Sequence, residues 1–417
     1  MVPKGWSVFR LEDIVIRTQL GTTERGMSED PLTTLIPLIK MGNLGWGSVN
    51  FNKVEYIEQS LINDSFLLKK GDFLFNTRNT PDLVGKSAVW DEDYTATFDN
   101  NINRIVFNKK VYTNFIAYYL NTGKGKSAIQ SLPAGSTSVA AIYWKDLKNI
   151  QLLLPSLGEQ QKIVQILSTW DKAISVTEKL LTNSQQQKKA LMQQLLTGKK
   201  RLLDENGVRF SGEWVHGQLG DLCAFKGGFA FKEVYQGQSM GELPFIKVSD
   251  MNLLGNERNI EYSNNWVSFE TAKLMKAKPF PESSIVFAKV GAALLLNRRR
   301  ILLRPTIIDN NMMAAVPSNA ADTEFLYQLL MAIDFARFVQ EGAVPSINQG
   351  DLSSFKLSYP YVEEQQKIAA VLSAADAEIS TLEKKLACLK DEKKALMQQL
   401  LTGKRRVKVD AEEAVSA

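Results

Sequence analysis

Residues that commonly run chemistry are scarce in this chain, and the scarcity narrows what it can do. Among 417 residues there is one histidine, His216, and there are two cysteines, Cys223 and Cys388. Histidine- or cysteine-based metal sites and Ser–His or Cys–His nucleophilic pairs need more partners than that. These three residues are therefore read as structural or surface positions. Gly198-Lys199 lacks the earlier glycine, five residues back, of a phosphate-gripping loop. No Asn/Asp-Pro-Pro-aromatic tetrapeptide occurs, and no dinucleotide-type glycine cluster opens a strand–turn–helix. A nuclease site built from carboxylates alone stays open on this reading.

What the chain does carry is cationic and amide side chains in or beside turn-rich stretches. In the first half these are Lys40, Asn43, Asn76-Thr77-Arg78-Asn79, Lys86 and Ser136-Thr137. In the second half they are Lys247, Asp250, Lys289, Asn297-Arg298-Arg299-Arg300, Arg304 and Asn348-Gln349. Lys and Arg can satisfy phosphates or the edge of guanine, and Asn or Gln can pair with adenine. The net charge of +5 permits nucleic-acid binding if it is concentrated on one face. With 44% hydrophobic and 23% charged residues, the composition is that of a soluble globular protein. No uninterrupted apolar run approaches the roughly 20 residues that span a bilayer. The N-terminus shows no charged-then-apolar leader pattern. A reducing, cytoplasmic setting is expected.

The elements that must position these residues come in duplicate. The stretch KKALMQQLLTGK occurs at 188–199 and again at 393–404, and EQQKI at 159–163 and again at 364–368. Both recur at a spacing of 205 residues, as do Pro155 and Pro360. A chance match of twelve residues is not credible. Ahead of these blocks the correspondence is fainter: Trp6 faces Trp214, Pro37–Lys40 faces Pro244–Lys247, and Asp99-Asn100-Asn101 faces Asp309-Asn310-Asn311. The unit thus has a variable front and a nearly fixed back.

Each back part reads as a long helix with a narrow seam. Ile368, Leu372, Ala375, Ile379, Leu382, Leu386, Leu389, Lys393, Leu396 and Leu400 follow alternating four- and three-residue steps. Ile163, Leu167, Trp170, Ile174, Leu181, Leu191 and Leu195 keep the same register in the first copy. Such spacing is a coiled-coil seam. Thr177, Ser184 and Lys188 make the middle of the first seam polar, so it is a weak partner for a copy of itself. Pro155 and Pro360 precede the helices, and Gly198 and Gly403 follow them. Thirty-nine helical residues make a rod of roughly 58 Å at about 1.5 Å per residue.

The front parts hold short β-rich runs broken by Gly, Asn and Asp turns, then a short helix, at 113–121 and 324–333. Each is expected to be an α+β globule of roughly 150 residues. Residues 1–154 and 201–359 are then the two globular domains, 155–200 and 360–405 the helical regions, and 406–417 a tail.

The duplicated layout resembles the specificity (S) subunits of type I restriction–modification enzymes. The residues that carry the resemblance are Ile36–Gly47, KKGDFLFNTRNTPDLVGK at 69–86, IVFAKVGAALLLNRRR at 285–300, IDNNMM at 308–313, and the junctions 142–161 and 347–366. The resemblance implies an α+β chain of two pseudo-two-fold-related target-recognition domains, separated by two long helices that form an antiparallel coiled coil. It implies that each domain reads one half of a bipartite asymmetric target in double-stranded DNA. It also implies partners: two methyltransferase (M) subunits and translocase–nuclease (R) subunits. S-adenosylmethionine and ATP with Mg would belong to those partners, with no cofactor or metal in this chain and no membrane contact. Two other readings remain: a coiled-coil scaffold with two protein-binding heads, and a specificity subunit of a related methyltransferase or nuclease outside type I. Replacing Leu386 and Leu389 together by Asp puts charge into the seam and should cost on the order of several kcal/mol. Unchanged thermal melting and unchanged solution scattering of that variant would show that the helices do not pair this way.

Overall fold

Between Pro155 and Gly198, and between Pro360 and Gly403, nothing in the sequence breaks a helix except a first-turn Gly158. The computed structural model accordingly has helices at Leu157–Leu195 and Val362–Leu400. Residues 2–26, 34–135, 139–339 and 344–409 are described. Both helices end on a glycine in the left-handed region, Gly198 at φ 70° and Gly403 at φ 69°, where a Cβ would be strained. The chain divides into two units, Met1–Glu178 with Lys385–Ala417, and Lys179–Lys384. Each unit therefore owns one head and half of each long helix.

In the first unit, a four-stranded antiparallel sheet orders Val15–Leu20, Ile102–Phe107, Phe73–Asn76 and Ser87–Val89. A smaller mixed sheet joins Glu55–Glu58, Leu35–Ile39 and Thr97–Phe98. The inner strand Phe73–Asn76 is apolar at three successive positions because both its faces are covered. Phe73 and Phe75 enter one core and Leu74 another. The first of these cores also takes Phe115, Ile116 and Leu120 from the helix Thr113–Leu120, and Ile163, Leu167 and Leu400 from the rods.

The second unit repeats this plan with an added strand. Its five-stranded sheet runs Cys223–Gly227, Met312–Pro317, Ile285–Ala288, Arg299–Leu302 and Asn259–Ile260. Ile285 and Phe287 pack with Phe325, Leu326 and Leu330 of the helix Thr323–Ala332, and with Leu195, Ile368 and Leu372 of the rods. Among the described residues no helix is long and apolar enough to cross a membrane.

The repeated EQQK stretch joins head to rod. Gln160 donates from Nε2 to the Pro155 carbonyl (3.0 Å) and accepts the Tyr112 N–H (2.8 Å). Gln365 does the same with Pro360 (2.8 Å) and Asp322 (2.8 Å). Beside them the carboxylates of Glu159 and Glu364, only 2% and 3% exposed, are each held by both arms of an arginine. Arg406 meets Glu159 at 2.7 Å twice, and Arg201 meets Glu364 at 2.6 Å twice.

Within each unit the two rods run antiparallel. In the first, Lys393 pairs with Asp171 and Lys390 with Glu178; in the second, Lys188 pairs with Asp376 and Ser184 donates to Glu378. Lys188–Asp376 and Lys393–Asp171 are one contact made twice, with the helices exchanging roles. The head joins in: Tyr118 donates to Asp171, and Gln328 donates to Asp376 at 2.6 Å. In the polar middle of the first seam, Ser184 and Lys188 are thus answered by partners on the other helix, while Thr177 donates to the Ala173 carbonyl of its own.

Of the seam residues, Ile163, Leu167, Leu195, Ile368, Leu372 and Leu400 are buried. Trp170, Ile174, Leu181, Leu191, Ile379, Leu382, Leu386, Leu389 and Leu396 are half-buried. Between the rod ends only the short Thr177 and Ser184 are buried in the seam, and the larger apolar side chains stay half-buried. Charges at Leu386 and Leu389 consequently keep some water, which puts that double substitution at the mild end of its range.

Asp376→Ala leaves the Lys188 ammonium and the Gln328 amide without an acceptor, and should cost about 1–3 kcal/mol. Replacing Lys188 and Asp376 together by Leu should cost less, because only the Gln328 amide is then left without an acceptor. Urea unfolding of the three proteins checks the difference; equal losses in both variants would show that the pair is not what holds the middle of the seam.

Candidate nucleic-acid interface

In the first head, the candidate residues converge on one edge, but their roles separate. Asn76 ends its strand with its side chain fully buried, accepting the Arg78 N–H at 3.1 Å. Thr77 donates from its hydroxyl to the Asn101 carbonyl at 2.9 Å. Asn43 is buried too: its Oδ1 accepts the Lys40 N–H (2.9 Å) and its amide donates to the Asn50 carbonyl (3.0 Å). Lys40 is neutralised by Glu55 at 2.8 Å. Arg78 is exposed on the short strand Arg78–Asn79, Asn79 accepts the Thr80 N–H at 2.9 Å, and Lys86 is half-exposed ahead of Ser87. Ser136 and Thr137 lie outside the described residues.

The second head uses the same scaffold with other chemistry. Asp250 takes the place of Asn43, fully buried and accepting the Lys247 N–H (2.7 Å) and the Asn264 amide (2.8 Å). Lys247 donates to the Gln236 side chain at 3.0 Å. Lys289 stands where the first head has Thr77: its carbonyl accepts Ile347 N–H as Thr77 accepts Ile142, both at 3.0 Å. Its ammonium has no hydrogen-bond or ion-pair partner among the described residues and lies over Gly227, where a Cβ would come within 3.2 Å. Asn348 caps the helix Gln349–Ser353 by accepting the Asp351 N–H at 2.8 Å, and Gln349 is exposed beside it.

The arginine run is where the structure corrects the sequence most. Arg299 is fully buried, stacked 3.8 Å from the centroid of the Phe335 ring and donating to the Ile333 carbonyl at 2.7 Å. It caps the carbonyl end of the helix Thr323–Ala332, as the Asn121 amide does in the first head by donating to Ala117 at 2.7 Å. Burial pushes its pKa down to about 10, so it stays charged at neutral pH. Arg300 is buried and donates to the carbonyls of Arg299 (2.8 Å) and Met251 (3.2 Å). Asn297, at φ 53°, turns the chain and holds Asp334 at 2.7 Å. Asn43, Asn76, Asp250, Arg299 and Arg300 are therefore corrected to internal supports, because they are buried and bonded inside the fold, although the Nε of each arginine has no hydrogen-bond partner among the described residues. Arg78, Arg298 and Arg304 remain on the surface, Arg298 donating to Asn252 and Arg304 lying 5.9 Å from the centre of the Trp266 ring.

Two features take their role only from the fold. Asp99 and Asp309, heads of the repeated Asp-Asn-Asn turns, are buried and each accepts the N–H two residues on (3.0 and 2.8 Å). Burial raises both carboxyls above the usual range. Gly21 and Gly228 press against these turns so closely that a Cβ would meet a carbonyl oxygen at 2.2 and 2.0 Å. The second feature is Lys126, which sits 4.0 Å above the centre of the Trp46 ring on the same edge as Lys86. The run GKGK at 123–126 was the available signal.

Residues 3–183 and 211–390 match the model of the type I restriction modification DNA specificity domain, one match per head. The chain belongs to that family. It is 27% identical over 425 residues to the putative MjaX type I specificity subunit of Methanocaldococcus jannaschii, covering 98% of this chain and 95% of that one. Against the EcoR124I/EcoR124II specificity subunit of Escherichia coli it is 24% identical over 64% of each chain. The solved S subunit of M. genitalium shares the fold, with a TM-score of 0.60 at 17% identity over 96% of this chain and 99% of that one. Members of the family are non-catalytic targeting subunits, which accords with the chain's poverty in histidine and cysteine.

Arg299→Ala should destabilise the second unit by about 2–4 kcal/mol, because it opens a buried site and orphans a helix end. Arg298→Ala should change stability by less than about 0.5 kcal/mol. Thermal unfolding of both variants decides whether the two neighbours are divided as described.

Proposed function

We propose that the chain selects the DNA site for a type I restriction–modification complex, each head reading one half of a bipartite asymmetric target. The observation that carries this is an inequality between parts. Contacts of the rods repeat residue for residue: Glu159–Arg406 with Glu364–Arg201, and Asp171–Lys393 with Asp376–Lys188. The exposed edges do not repeat: Thr77 faces Lys289 and Lys86 faces Arg298. One scaffold used twice with two different surfaces is what reading two different half-sites requires.

On this reading residues 1–154 and 201–359 are the exchangeable heads. The rods at 155–200 and 360–405 fix the spacer and dock two methyltransferase subunits, and 406–417 is a tail. S-adenosylmethionine would be bound by those subunits for transfer to adenine, and ATP with Mg by translocase–nuclease subunits, in the cytoplasm. This chain supplies position, not chemistry.

Replacing residues 1–150 by the corresponding part of a relative should change one half of the target only. Mapping methylated adenines in a genome carrying the hybrid with its methyltransferase partner reads both halves at once. A change in both halves, or methyl transfer by the purified chain alone, would overturn this assignment. A folded hybrid that binds no DNA would overturn the independence of the heads.

A further inference from the structure

Each head carries a locked turn with one apolar side chain at its tip. In the first, Gly45 N–H donates to the Ser48 carbonyl at 2.8 Å, and Asn50 N–H to the Asn43 carbonyl at 2.7 Å. Trp46 stands at the tip, half-exposed, directly before Gly47 at φ 92°, and the Gly47 N–H is tied to the Ser87 carbonyl at 2.8 Å. In the second, Asn256 is fully buried and donates from its amide to the carbonyls of Asp250 and Tyr262, both at 2.8 Å. Leu254 stands at that tip, 90% exposed, directly before Gly255 at φ 93°.

A cation accompanies each tip. Lys126 covers one face of Trp46, and Arg298 reaches Asn252 two residues before Leu254. Neither cation has a carboxylate partner among the described residues. A single exposed apolar residue on a surface needs no explanation. Two at the same place in a repeated fold, on turns held rigid by buried amides and flanked by unpaired cations, do. The fold gains little from Leu254, which is 90% exposed, and from Trp46 only the half that is buried and the contact with Lys126. Duplex DNA offers the complement: phosphates for the cation, and thymine methyl groups or unstacked base steps for the apolar tip.

Resting on the DNA-reading assignment above, we propose that Trp46 and Leu254 are the apolar reading contacts of the two heads, each touching bases of its own half-site. Lys126 and Arg298 hold the adjacent phosphates. The pairs differ in size, a bicyclic ring against a branched alkyl group, so the two heads prefer different base steps.

The test uses the full-length chain and two duplexes: the target found by adenine mapping, and the same bases scrambled. Trp46→Ser and Leu254→Ser should each weaken binding to the target roughly tenfold or more, with less than about twofold loss on the scrambled duplex and an unchanged salt dependence. Lys126→Ala and Arg298→Ala should weaken both duplexes alike and lower the salt slope by about one each. Trp46→Phe and Leu254→Met, which keep an apolar tip, should retain most of the preference. The proposal falls if the serine variants keep the target-to-scrambled ratio, or if they weaken both duplexes equally. It also falls if the conservative variants lose as much preference as the serine ones, since the turn itself would then be responsible. A wild-type chain that does not distinguish the duplexes would overturn the DNA-reading assignment itself, and this inference with it.

Discussion

The two carboxylates at the start of the rods, Glu159 and Glu364, cannot remain charged and buried without a cation brought to them. Each obtains one from the far end of the other rod: Arg406, which closes the first unit, and Arg201, which closes the second. Much of the architecture follows from this requirement. An arginine just beyond the end of one helix can reach a glutamate in the first turn of another only if the helices run antiparallel. The two head-to-rod junctions are therefore built from both helices at once, and neither head rests on its own helix alone.

Around that pair the same logic repeats with uncharged groups. Gln160 and Gln365 occupy the next position and spend donor and acceptor on backbone groups of the head, so the rod's first turn and the head's short helix are fixed together. Asp171 and Asp376 do likewise further along, each taking a lysine from the other rod and a donor from the head helix. These polar groups lie between apolar layers, where a one-residue slip of either helix would leave several of them without partners. Polar satisfaction sets the register, while leucine and isoleucine supply the adhesion.

The heads divide their polar residues into supports and surface. Buried Asn43, Asp250 and Asn256 hold turns; buried Asp99 and Asp309 hold the two Asp-Asn-Asn corners; Gly21 and Gly228 let a strand pass against those corners. What such turns present outward is then free to differ between copies: Thr77 or Lys289, Lys86 or Arg298, Trp46 or Leu254. A fixed frame with exchangeable tips is how one fold can serve two recognition tasks without repacking its core.

The sequence by itself determined the duplication, the two rods and their ends, the seam positions, the short helix of each head, and the absence of a histidine- or cysteine-based catalytic constellation. These are properties of period, spacing and composition, all local along the chain. It also showed which family the chain resembles, since that rests on the order of parts. Which cations face solvent was decided only by the tertiary structure. Arg298, Arg299 and Arg300 are consecutive and chemically identical, yet one is exposed and two are buried. The acceptors that make burial tolerable are the carbonyls of Ile333 and Met251, 34 and 49 residues away. The same holds for Asn43 and Asn76, whose amides read as recognition groups until the fold supplies them with internal partners. A charged or amide side chain is a contact or a support according to what lies within about 3 Å of it, and that distance is set by the packing of remote segments, which no local pattern encodes.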